Sequence, residues 1–357
     1  MKLAGWKKRI RLDIDYTNKI GGSVTQFPVT IFLKPTNGDT WKVFNEVGNN
    51  YRKIAITKAD GVTELKVEME LWDVANKVGI LHTSLANWVI GGDTSIYLYY
   101  DGSHYDNPNV GNIASTAGQA VWDSNFKGVW HLKDYTTSSV VDSTSNANNG
   151  TKKGTNQPKE TDGKIGKAQS FVYSTYDRIH IPDSNSLDIT SDFTIEAWIK
   201  HDCALTGKTS EGVILGKGQW GVDQNGDYVL RMNTNNYVMI TRRRAGNWSA
   251  LLTSSTVSKD WHYVVGVYDS SAQQLRIYVD GSLSNSGSDT GGAGTANTNP
   301  VEFGQLGVST TGLVQYVGLI DEGRISNVAR SADWIKASYY SGNNSLVSYG
   351  NEEGIDN

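Results

Sequence analysis

Cysteine occurs once in the 357 residues, at Cys203, so the chain can form neither an internal disulfide nor a thiolate zinc cluster, and packing must hold it together. Proline is scarce, at 6 residues. Residues 1–9 lack the apolar run of a secretory leader, and no later stretch is long and apolar enough to span a bilayer, so membrane insertion is not expected. A surplus of one charge is lacking too. The formal net charge of -4 gives no long-range pull on phosphate backbones or anionic lipid, which sets nucleic acid aside as a partner. Residues 1–125 hold 13 basic and 13 acidic side chains and the remainder 20 and 24, so the acid surplus lies in the second half, where it is compatible with a bound cation. The six histidines are scattered without zinc-binding spacing, and neither a nucleophile elbow nor a phosphate loop is present.

What the chain does have is 38 glycines and many aromatics, with Trp and Tyr outnumbering Phe, a composition suited to short strands joined by tight polar turns. All-β is the expected class, and the length suits two domains. Ile10, Leu12 and Ile14 alternate with Arg9, Arg11 and Asp13, the period of a half-buried strand. Asp280-Gly281 carries the chemistry of a two-residue hairpin turn. Residues 102–119 read as a linker or surface loop and residues 284–299 as a mobile loop, because both are rich in small polar residues. Residues 330–340 form the best helix, with Ser331 as its N-cap.

Several segments then follow in a familiar order: Val129-Trp130-His131-Leu132, Asp142-Ser143-Thr144-Ser145-Asn146, Gly166-Lys167-Ala168-Gln169-Ser170-Phe171, Phe193-Thr194-Ile195-Glu196-Ala197-Trp198, Trp261-His262-Tyr263-Val264-Val265 and Gly318-Leu319-Ile320-Asp321-Glu322. Together they resemble a laminin-G-like domain of the concanavalin A-like lectin/glucanase superfamily. The earlier landmarks, including Tyr51-Arg52-Lys53-Ile54, Val67-Glu68-Met69-Glu70 and Tyr97-Leu98-Tyr99-Tyr100-Asp101, resemble DUF2341, an uncharacterised domain of bacterial and phage proteins that often precedes a laminin-G-like domain. The resemblance implies two β-sandwich domains: a DUF2341-like domain over 1–120, a concanavalin A-like jelly roll over 121–350, and a tail over 351–357.

Such a pair implies non-enzymatic carbohydrate binding or adhesion, as part of a phage virion (tail or capsid decoration) or a cell surface. Its partners would be a host or environmental glycan and other virion or surface proteins, and self-association is compatible with this role. A purely structural assembly protein is the alternative, followed by a glycoside hydrolase. Retaining hydrolases of this fold present two carboxylates from one strand, typically as Glu-x-Asp-x-Glu, and that pattern is missing. Glu68 and Glu70 alternate with apolar residues in the other domain and read as a solvated sheet face.

Sugar binding needs an exposed aromatic face with polar groups beside it. Trp130, Trp198 and Trp261 occupy core positions in the resemblance. Trp220, Tyr237 and Trp248 flank turns, and with Arg243 they are the ligand-binding candidates, ordinary packing being the alternative. Arg242-Arg243-Arg244 reads as a solvated strand edge. The resemblance also implies a structural Ca²⁺ held by Asp142 and Asn146, with Asp321 from a late strand, while the same residues can instead hydrogen-bond turn amides.

Overall fold

The computed structural model describes residues 1–135, 139–154, 157–172, 177–202, 212–218, 226–244, 247–307 and 315–355. The chain divides into two compact units, one formed by Met1–Asp123 with Lys336–Asn357 and the other by Ser124–Ile335.

In the first unit, a four-stranded sheet runs in the order Val347–Gly354, Lys8–Ile14, Thr94–Tyr100, Ile54–Thr57. A second sheet runs Val29–Leu33, Val78–Ser84, Lys66–Asp73, Val110–Asn112. The alternation at the start of the chain holds, since Ile10, Leu12 and Ile14 are buried while Arg11 is exposed. The first join, after Asp123, falls close to the expected 120, but two segments differ from expectation: the stretch before that join and the end of the chain, where residues 336–350 belong to the first unit. Residues 102–119 are not a linker: Val110–Asn112 pairs in parallel with Lys66–Asp73, and buried Asn107 donates its amide to the Ile54 carbonyl at 3.1 Å and to Glu64 at 2.7 Å. The supposed tail is also structural, because Val347–Gly354 pairs antiparallel with Lys8–Ile14, closing the sheet with the two ends of one discontinuous unit.

The second unit is a sandwich of two eight-stranded antiparallel sheets. One, here the Trp198 sheet, runs Lys159–Asp162, Lys167–Phe171, Gly318–Ser326, Phe193–His201, His262–Asp269, Gln274–Val279, Ser282–Ser288, with Phe126–Trp130 also paired to Gly318–Ser326. The other, the Trp248 sheet, runs Ser139–Val140, Gly150–Lys153, Arg178–Ile181, Val301–Gly304, Gly212–Lys217, Tyr228–Met232, Val238–Arg244, Asn247–Leu252. Alternate residues of both point inward and form one core, with Ile195, Ala197, Val264 and Ile277 from the first and Ile214, Leu230, Ile240 and Phe303 from the second. The sheets approach closely where Gly266 faces Ile240: a Cβ on Gly266 would stand 2.6 Å from the Ile240 side chain.

Turn chemistry reads as expected at Asp280-Gly281, where both residues take positive φ and join Val279 to Ser282. Ser331 caps the helix Ala332–Gly342 by accepting from the Trp334 amide at 3.2 Å. Residues 284–299 are not a free loop. Ser282–Ser288 pairs with Gln274–Val279, and Asp289 is buried.

Candidate functional site

A strand alternates its side chains, so three consecutive arginines cannot share one face. Arg242 and Arg244 turn inward, where the Arg242 guanidinium lies 3.7 Å from the Tyr268 ring centre and both ion-pair with Asp289, at 3.3 and 2.5 Å. This corrects the reading of the triplet as a solvated edge: the edge strand is Asn247–Leu252, and two of the three charges are interior. Arg243 alone turns outward.

Directly across from Arg243 in the register stands Trp248, with 51% of its surface exposed. The Arg243 guanidinium lies 5.6 Å from the indole centre, and a second guanidinium, that of Arg231, lies 5.4 Å from it. Arg231 starts on the neighbouring strand Tyr228–Met232 and reaches across Thr241, to whose hydroxyl it donates at 3.0 Å. A cation–π contact is worth about 0.5–1 kcal/mol at an exposed site and more where the cation is desolvated, as the buried Arg231 is. The result is a half-exposed indole at the edge of the sheet with two guanidiniums over its ring, while Val229, Met239 and Thr241 on the same face are buried.

Of the sequence candidates, Arg243 and Trp248 are thus brought together. Tyr237 is not with them. It is half-buried, its amide bonded to the Asn233 side chain at 3.0 Å, and six residues of extended strand, about 20 Å, separate it from Arg243. Trp220 lies outside the described residues. Trp130 and Trp198 are buried as expected, whereas Trp261 is only half-buried. Arg231 and Thr241 are the members that sequence reading missed. The signal for Arg231 was its alternation with the core residues Leu230 and Met232, but its link to Trp248 crosses a whole strand.

The calcium set is placed differently from a shared metal site. One oxygen of the buried Asp142 accepts from the amides of Val129 and Thr144, at 3.0 and 2.9 Å; the other accepts from the Thr144 hydroxyl and the Asn148 amide, at 2.9 and 2.8 Å. Burial pushes its pKa up against these bonds. The Asn146 side chain donates to the Phe126 carbonyl at 3.0 Å. Asp321 serves another loop, accepting the amides of Lys164 and Ile165 at 2.8 Å each. Four donors already fill the lone-pair directions of Asp142, where a cation would need bare oxygen, so these residues do not fit a common Ca²⁺.

Carboxylates also lie where the sequence did not place them. Glu68 and Glu70 are buried, not solvated: a bulge between Met69 and Leu71 breaks the alternation, Glu70 bonds His82 at 2.9 Å, and Glu68 accepts from the Trp122 indole at 2.7 Å. In the second unit, Glu322 takes a positive φ at another bulge and meets His131 at 2.5 Å and Arg324 at 2.5 Å, while Glu196 lies 3.5 Å from Arg324. Burial raises the Glu196 pKa; burial alone would lower that of Arg324, and Glu322 and Glu196 raise it.

Two antiparallel sheets enclosing one core define the class of this unit, an all-β sandwich. Within it, residues 173–336 match the family described as the concanavalin A-like lectin/glucanases superfamily. None of the curated proteins matches the chain. Among solved structures, the chain is similar to the binding domain of Paraclostridial Mosquitocidal Protein 1, with 16% identity, TM-score 0.49, and 61% of this chain and 52% of that one covered. It is also similar to the binding domain of botulinum neurotoxin serotype G, with 14% identity, TM-score 0.47, and coverage of 60% and 51%. A third is domain 4 of AbnA, a GH43 extracellular arabinanase from Geobacillus stearothermophilus, in complex with arabinotriose, with 18% identity, TM-score 0.46, and coverage of 59% and 97%. The matched part is about half the length of the two toxin domains. Among the described residues no helix is long and apolar enough to cross a membrane.

Proposed function

We propose that the unit Ser124–Ile335 is a non-catalytic carbohydrate-recognition module whose ligand rests on Trp248. The observation that carries this reading is the half-exposed indole on the edge strand Asn247–Leu252, with two guanidiniums over its ring, since a sugar ring stacks on an exposed aromatic surface while its hydroxyls take hydrogen bonds from groups beside it. A hydrolytic role finds less support. Glu196 and Glu322 are buried and both pair with Arg324, which ties up the charges a glycosidase would need at its substrate. In this reading the first unit is a DUF2341-like domain, and the whole serves adhesion on a virion or cell surface.

A glycan array probed with the full chain and with Trp248→Ala tests this. Binding by the full chain that the variant loses is the expected result. No binding at high protein density would favour a structural assembly role, and release of reducing ends from a bound polysaccharide would favour an enzyme.

A further inference from the structure

We propose that Ser258 is an acyl-acceptor site, a hydroxyl prepared to take one acyl group from an activated ester, with His262 as its base and Asp280 as the residue that positions the base. The Ser258 Oγ lies 2.9 Å from Nε2 of His262, and Nδ1 of the same ring lies 2.8 Å from one oxygen of Asp280. The other Asp280 oxygen accepts from the Tyr263 amide at 2.9 Å, so the carboxylate is held from both sides. A carboxylate only accepts, which assigns the ring proton to Nδ1 and turns the Nε2 lone pair toward the serine. Nucleophile, base and orienting acid in contact are the arrangement that makes a hydroxyl reactive, whatever the fold. Strand pairing sets it up here: the Asp280 amide donates to the Tyr263 carbonyl at 2.8 Å, which brings the turn after Gln274–Val279 beside the start of His262–Asp269. Ser258 is exposed but not loose, because the preceding Val257 belongs to the core and its amide donates to the Asn236 carbonyl at 2.9 Å. The hydroxyl has a second acceptor in Asp260, whose carboxylate lies 3.1 Å away, while the Asp260 amide donates to the same Oγ at 3.2 Å. The amide favours an oxygen that gains negative charge, and the carboxylate competes for its one proton. In the step itself, Oγ bonds to the acyl carbon while the bond from that carbon to the leaving oxygen breaks. The Oγ proton passes to Nε2 and from there to the leaving alkoxide, so an ester and a hydroxyl give an acyl-serine and an alcohol with no further reactant. The site is independent of the one at Trp248 and stands whether or not that one binds sugar.

p-Nitrophenyl acetate is the probe, used on the full chain, with nitrophenol release followed by absorbance and the labelled peptide located by mass spectrometry. The expected result is one nitrophenol released and one acetyl group gained per chain, on Ser258, and neither in Ser258→Ala. His262→Gln should slow the labelling about hundredfold. Asp280→Asn should lower its maximal rate at least about tenfold and leave the half-saturating probe concentration unchanged, a split that a merely structural role would not give. Asp260→Asn, which removes the competing carboxylate, should keep or raise the rate. Acetyl groups found elsewhere with none on Ser258, labelling of Ser258 that His262→Gln leaves unchanged, or labelling lost in Asp260→Asn would each overturn the proposal. Nitrophenol release beyond one per chain that Ser258→Ala abolishes would overturn the stable acyl group, and with it the non-catalytic reading of this unit. Ser258 and Asp260 are exposed, so their variants keep the test decisive if Asp280→Asn fails to fold.

Discussion

Replacing Asp289 by alanine would expose how the sandwich tolerates charge in its interior. Asp289 is 1% exposed, and the two guanidiniums it holds belong to residues 4% and 7% exposed, so neither has water as a ready substitute. Arg242 keeps the Gly292 carbonyl, and Arg244 keeps the Ser249 hydroxyl at 2.7 Å. Breaking a buried ion pair from one side costs about 3–5 kcal/mol. With two cations orphaned but each retaining a neutral acceptor, we expect about 4 kcal/mol for Asp289→Ala. Asp289→Asn, which keeps shape and one carbonyl, should cost about 2 kcal/mol. The triple variant Asp289→Ala, Arg242→Met, Arg244→Met should recover most of the loss, because an interior ion cluster exchanged whole for apolar volume is close to neutral. Urea unfolding followed by tryptophan fluorescence reads this as a shift in midpoint at constant slope. A loss below 1 kcal/mol for the alanine variant, or a triple variant no better than the single, would refute the argument by showing that these charges are solvated.

The remaining predictions concern pH, metal and packing. The Ala272 amide, the Ser271 hydroxyl and Arg276 hold the Asp269 carboxyl down to about 2, below its unfolded value, so it adds stability that is present above pH 4 and lost as pH falls through 2; Asp269→Asn should cost about 1–2 kcal/mol at pH 7 and only a small part of that at pH 2, as read from unfolding curves across that window. Asp142→Ala should cost about 3 kcal/mol by orphaning four donors, while excess chelator leaves Tm unchanged; a fall of several degrees that calcium reverses would restore a metal to that loop. Gly266→Ala should cost about 1–3 kcal/mol in thermal unfolding because its new methyl meets Ile240, and a neutral result would mean the two sheets can part locally.

Local patterns were legible in the sequence and cross-strand ones were not. Ile10, Leu12 and Ile14, the turn at Asp280-Gly281 and the Ser331 cap each depend on residues within a few positions of one another, and each stands as read. The alternation that served Ile10 failed at Glu68 and Glu70, where Glu70 is the extra residue of a bulge and Glu68 lies under the Trp122 indole. Composition misled for residues 102–119 and 284–299. Asparagine and glycine are common in free loops, but Asn107 spends its amide on Ile54 and Glu64, and Asn297 and Asn299 spend theirs on Asp227, bonds that depend on partners 43 to 72 positions away. The site was half visible for the same reason. Trp248 and Arg243 stand five positions apart in the chain, while Arg231 joins them only through the order of three strands.

The pairing of Lys8–Ile14 with Val347–Gly354 sets an order on synthesis. The first sheet cannot finish until residues 347–354 have left the ribosome, so its opening strand must wait while the intervening sandwich is made. Joining ends more than 300 positions apart is entropically costly for a loose chain, and collapse of Ser124–Ile335 into a folded body shortens the loop that must close. The second unit is therefore the natural first folder, and the opening strand, left with one long edge unpaired in the meantime, is the segment most in need of protection during translation.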